Sequence, residues 1–175
     1  MREFSADEIK RQFRNGQDFN DLFEAFREAI EHNISDVDVY RELFSNSSLK
    51  PEELLFFAKK IERGFPHMGF DVYMWLSKVM ESKTPHSDSL ELSFLCLKKA
   101  SEFDRKSLDP FLSACTLFDP DLKIPDMENV ISFLKEGLPF VDDPVPLYKQ
   151  LSVFYSSMGN EEMSAYFDRK AQSSS

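Results

Sequence analysis

The feature that most constrains this chain is a spacing. Within LYKQLSVFYSSMGNEEMSAYFDRKA, residues 147–171, Tyr148, Leu151, Ser152 and Tyr155 fall at steps of three, four and seven, on one face of a helix. The same frame returns at Tyr73, Leu76, Ser77 and Met80, and again at Phe111, Ala114, Cys115 and Phe118. A weaker copy holds Tyr40, Leu43 and Phe44, with polar Ser47 in the fourth place. Anchors at 40, 73, 111 and 148 are separated by 33, 38 and 37 residues, the length of a helix–turn–helix unit. Eleven residues before three of them stands a small residue, Ala29, Ala100 or Gly137, with Phe26, Leu97 or Leu134 three places earlier. The copy before Tyr73 departs from this rule, because Glu62 holds the small slot. A knob beside a hole lets helices approach closely, and a small residue near the end of the second helix lets the next unit dock.

The rest of the chain is helical in period. Ser5-Ala-Asp-Glu8 reads as a capping box opening a short helix that stops near Asn15-Gly16. A second helix, about 18–32, carries Leu22, Phe23, Phe26, Ala29 and Ile30 on one stripe. Further helices are predicted at about 36–46, 51–64, 69–82, 88–103, 108–118, 126–137, 144–158 and 160–172. Ser47-Ser48, Thr84-Pro85-His86, Asp119-Pro120-Asp121 and Asp142-Asp143-Pro144 supply the breaks, and Asp88-Ser-Leu-Glu91 is a second capping-box match. No strand is read. The expected fold is all-α, a right-handed superhelical array of antiparallel helix pairs, with an ordinary helical bundle as the alternative. Residues 1–17 would form an N-terminal helix, 18–172 the repeat domain and 173–175 a disordered tail.

Tyr148-x-x-Leu151-Ser152-x-x-Tyr155, the corner at Gly159 and Ala171 closing the second helix resemble a tetratricopeptide repeat. That family places a large aromatic, Leu, a small residue, an aromatic, a corner Gly and Ala in these slots. The likeness runs over residues 18–172 in degenerate form. Longer corners with Pro85, Pro120 and Pro125 follow two units, and Phe167 lies one place off the family's aromatic slot. Other helix-pair solenoids remain alternatives. The resemblance implies a concave groove, lined by first helices, that holds an extended or helical peptide. On the matching positions of this chain the groove residues are Arg41, Met74, Lys78, Leu112, Thr116, Lys149 and Val153. The Lys and Asn set with which some members clamp a terminal carboxylate is not reproduced. Size, acidity and repeat number also look similar to the translocator chaperones of type III secretion.

Charge and motifs narrow the function further. With 21 basic against 31 acidic residues the net charge is −10, a field that repels phosphate backbones and anionic lipid, so neither nucleic acid nor membrane insertion is expected. Lys59, Lys60 and Arg63, or Lys98 and Lys99, could form local basic patches but read as solvated faces. Cys96 and Cys115 lie in apolar helical stretches without a CxxC pair, which fits buried thiols in a reducing compartment. The charged start MREFSADEIKRQF lacks the apolar core of a signal peptide, and no run spans a membrane, so a cytoplasmic location is expected.

Gly64-Phe-Pro-His-Met-Gly69 has half of a phosphate loop, but Phe70 and Asp71 stand where Lys and Ser or Thr are needed, so it reads as a linker. His32, His67 and His86 sit at helix ends or turns without a second ligand one turn away. Glu52-Glu53, Asp142-Asp143, Glu161-Glu162 and Asp119 with Asp121 suit helix starts better than catalysis. Trp75 reads as core between helices, with ligand stacking as its alternative. The expectation is a non-catalytic scaffold without cofactor or metal, whose partner is a peptide segment or helix of another protein, or a second copy in a homodimer. A structural subunit assembling through its repeat surfaces is the first alternative, and a helical-bundle enzyme using the acid-rich turns the second.

Overall fold

Short polar side chains decide where this chain enters its helices. A computed structural model describes residues 5–83 and 87–174. Among them are ten α-helices: α1 (Ala6–Asn15), α2 (Phe19–Glu31), α3 (Val37–Phe44), α4 (Pro51–Gly64), α5 (Gly69–Lys83), α6 (Ser87–Phe103), α7 (Asp109–Leu117), α8 (Met127–Gly137), α9 (Val145–Ser157) and α10 (Glu161–Ser173). Asp18, Asp36, Asp126 and Asn160 each accept bonds from amides that their helices leave open. Ser5 does the same for α1, but only this half of the expected box forms, since Glu8 turns to Arg11 at 3.6 Å. At α4 the amide of Lys50 donates to Glu53 at 2.7 Å, and Pro51 fits the first turn, where no amide is needed. The expected box at Asp88 falls at the start of α6, whose first residue is Ser87 and whose first turn holds Asp88. Its entry through Thr84-Pro85-His86 lies outside the described residues.

No strand is found among the described residues. An isolated antiparallel bridge joins Asp119 to Ile124 in the loop after α7, where the Asp119 carboxylate accepts from the amides of Asp121 and Leu122. One turn of 3-10 helix, Pro66–Met68, links α4 to α5.

Helices pack as successive pairs: α1 with α2, α5 with α6, α7 with α8, and α9 with α10. First helices also touch in line, α1 on α3, α3 on α5, and α7 on α9. The result is an all-α solenoid. The corner between α9 and α10 turns at Gly159, whose φ of +74° is the left-handed bend that glycine takes without steric cost.

Two buried clusters fill the interior. The first gathers α1 to α5 and takes Cys96 and Ala100 from α6. The second gathers α7 to α10 and takes Phe94 and Leu97 from the same helix. Two faces of α6 thus serve different cores.

The frame residues explain the pairing. Tyr73 stacks on Phe103 at 6.0 Å, Phe111 lies 4.6 Å from Phe133, and Tyr148 stacks on Phe167 at 6.2 Å. In each case the anchor meets a ring on the second helix of its own pair. Gly137 is the matching hole: a Cβ there would lie 2.7 Å from the Phe111 ring. The small slot therefore admits the anchor of its own unit, where the sequence suggests docking of the next. Glu62 departs for a visible reason, since the Tyr73 hydroxyl donates to its carboxylate at 2.7 Å.

Candidate binding surfaces

The residues one and five places after an anchor share a stripe of the first helix, because a helix turns 100° per residue and the anchor stripe faces the core. A cleft lies between α3 and α5, and this stripe reaches it at Ser45 and Lys78. Arg41, half-buried, lays its guanidinium 5.1 Å over the Trp75 ring and reaches Asp38 at 2.7 Å. Phe44, Trp75, Lys78, Val79 and Ser82 line a cleft of about 410 Å³ beside this pair. Arg41 Nε and Trp75 Nε1 are both shielded from solvent without a hydrogen-bond partner. A cation held on an indole face, an exposed lysine and an apolar wall make a surface able to grip carbonyl or carboxylate oxygens beside an apolar side chain.

The other expected groove residues divide. Met74 is half-buried and packs against both cores, and Leu112 is half-buried against the second. Both are seam residues before they are surface. Thr116 is exposed and donates its hydroxyl to the Ser113 carbonyl at 2.9 Å. Lys149 is exposed and Val153 is 61% exposed on α9, outside the α3–α5 cleft. The structure thus brings Arg41 and Lys78 together around Trp75 and leaves the α7 and α9 residues apart from that cleft. Sequence reasoning misses Phe44, Val79 and Ser82 as lining residues. Their role depends on how α3 and α5 lie against each other, which one-helix periodicity does not carry.

The remaining polar features have structural work. Glu53 and Asp143 accept amides at helix starts, and Glu161 and Glu162 stand in the first turn of α10. The His32 ring lies 2.9 Å from the Glu28 carbonyl, His67 is exposed beside Phe65, and His86 lies outside the described residues. Burial pushes the thiols of Cys96 and Cys115 up to about 12, so neither is a ready nucleophile at neutral pH. Among the described residues no group of three His, Cys, Asp or Glu side chains is placed to hold a metal ion. None of their helices is long and apolar enough to cross a membrane.

No protein-family model matches the chain, and no curated protein sequence is significantly similar to it. Solved structures do match. Two crystal structures of MamA superpose with a TM-score of 0.52 at 13% identity, one covering 98% of this chain and 95% of that one, the other 97% and 89%. A thermophilic TPR protein of Thermus thermophilus, TTC0263, gives 0.49 at 16% identity over 98% and 92%. At such identities the likeness speaks for the fold: the chain is an all-α helical-repeat array with the architecture of the MamA structures along nearly its whole length.

Proposed function

We propose that this TPR-like array is a non-catalytic scaffold that holds a peptide segment or helix of a partner protein along its first-helix face, the concave side in stacked helix pairs. The observation that carries the reading is the α3–α5 cleft, where Arg41 stands over Trp75 and Lys78 borders Phe44 and Val79. Arg41 and Lys78 meet the oxygens of the guest, and the Trp75 and Val79 wall takes an apolar side chain. Met74 and Leu112 set the shape of the seam between first helices. Thr116, Lys149 and Val153 extend contact along α7 and α9, with Val153 offering exposed apolar area. High-pKa thiols and acids engaged as caps support a binding role over chemistry.

The test is a comparison of partners. Wild type and a Lys78→Glu/Lys149→Glu variant are used to capture proteins from the native lysate, with captured segments mapped by cross-linking. Loss of the wild-type partner, together with cross-links at α3 and α5, supports the groove. An unchanged partner set, or cross-links confined to second helices, sinks it. Light scattering on the same samples separates capture from self-assembly.

A further inference from the structure

The layer of second helices carries a different cleft, between α4 and α6, of about 440 Å³. Its wall is aliphatic: Leu55 and Leu92 are half-buried, and Leu95 is 56% exposed. Its rim is cationic. Lys59 and Arg63 stand one turn apart on α4, both exposed, and neither forms an ion pair with a described carboxylate. The acid inside the cleft is already engaged: Glu62 accepts the Tyr73 hydroxyl at 2.7 Å and lies 3.4 Å from Lys99. Lys99 is itself held by Glu102 at 2.7 Å. In a chain of net charge −10, two uncompensated cations thus border an uncovered leucine.

We infer that this second-helix cleft docks an acidic amphipathic segment of a partner protein. An apolar side chain of that segment covers Leu55, Leu92 and Leu95, while its carboxylates meet Lys59 and the guanidinium fork of Arg63. Charge complementarity selects this occupant. A nucleic acid fits poorly, because the wall is aliphatic and the Tyr73 ring at its base is 3% exposed and cannot stack a base. The site is separate from the α3–α5 cleft and does not depend on it.

The full chain, immobilised, is panned against a phage-displayed library of random peptides. The enriched sequences are expected to place Asp and Glu around Leu, Ile or Phe at helical spacing. A synthetic copy of the leading peptide is expected to bind more weakly as salt rises. Lys59→Glu/Arg63→Glu, a change of exposed side chains that leaves the circular dichroism spectrum intact, weakens it about tenfold or more. Leu95→Ser weakens it as well, and Lys78→Glu/Lys149→Glu leaves it unchanged. The inference is overturned if no peptide is enriched, if the enriched peptides are neutral or basic, or if Lys59→Glu/Arg63→Glu binds like wild type. Competition by a poly-dT oligonucleotide also overturns it. Loss on Lys78→Glu/Lys149→Glu alone overturns it in favour of the first-helix groove.

Discussion

The two cores use the same frame differently. In the first, Tyr40 is fully buried and its ring lies 6.2 Å from Phe13, 6.0 Å from Phe26 and 6.2 Å from Phe65, while its hydroxyl donates to the Ile34 carbonyl at 2.7 Å. Two of those rings come from the preceding helix pair. In the second core each anchor meets the second helix of its own pair, Phe111 on Phe133 and Tyr148 on Phe167. Tyr40 is a hub shared between units, and Phe111 and Tyr148 are links within units. The difference teaches that a repeated sequence frame fixes which residue points inward, and the neighbours decide how many units it joins.

The sharpest way to break that comparison is to truncate one anchor of each kind. Tyr40→Ala is expected to cost about 3–5 kcal/mol, because it empties a site enclosed by aromatic rings and strands the Ile34 carbonyl. Tyr148→Ala, at a half-buried ring, should cost about half as much. Urea unfolding at neutral pH compares them, and equal losses would erase the distinction between hub and link.

Asn46→Ala comes next, at about 1–3 kcal/mol. Its Nδ2 donates to the Phe13 carbonyl at 2.8 Å and the Gly16 carbonyl at 3.0 Å, tying the end of α3 to the end of α1. Hydrogen exchange should then quicken in α1 first. A uniform change across the chain would refute that latch. Gly137→Ala tests the second core, where the new methyl would press on the Phe111 ring against its helix-propensity gain. A net loss of about 1–2 kcal/mol is expected, read as a lower thermal midpoint. Gly159→Ala should cost about 1 kcal/mol from its left-handed φ alone, since nothing crowds the position.

The smallest effect depends on pH. The Arg14 guanidinium, bonded at 2.7 Å, holds the Glu42 carboxyl below its usual value of 4.5. A lowered folded pKa gives stability that is present above the unfolded value and is lost as pH falls through the folded one. The deficit of Glu42→Gln against wild type should be constant near neutrality and shrink as the medium is acidified below the ordinary Glu range. A deficit that grows in acid would contradict the assignment.

Most helices are legible because apolar period and cap residues agree. Asp18, Asp36, Asp126 and Asn160 mark starts in the sequence and cap them in the structure. The end of α3 is less so: the period runs on to 46, but the helix closes at Phe44, and the Asn46 side chain turns to α1. Glu62 in a small slot breaks the sequence rule, and only its hydroxyl partner on the next helix accounts for it. Of the candidate surface, the stripe containing Arg41 and Lys78 can be placed from helical geometry. The cleft between α3 and α5 cannot, because its walls belong to residues far apart in sequence whose meeting depends on the tilt of two helices.

The dual burial of α6 has a thermodynamic consequence. Cys96 and Ala100 close one interior while Phe94 and Leu97 close the other, so neither half retains a sealed interior once this segment melts. Cooperativity in this molecule therefore passes through α6, beside which Met74 of α5 also touches both interiors, and heat should remove the two halves in one transition.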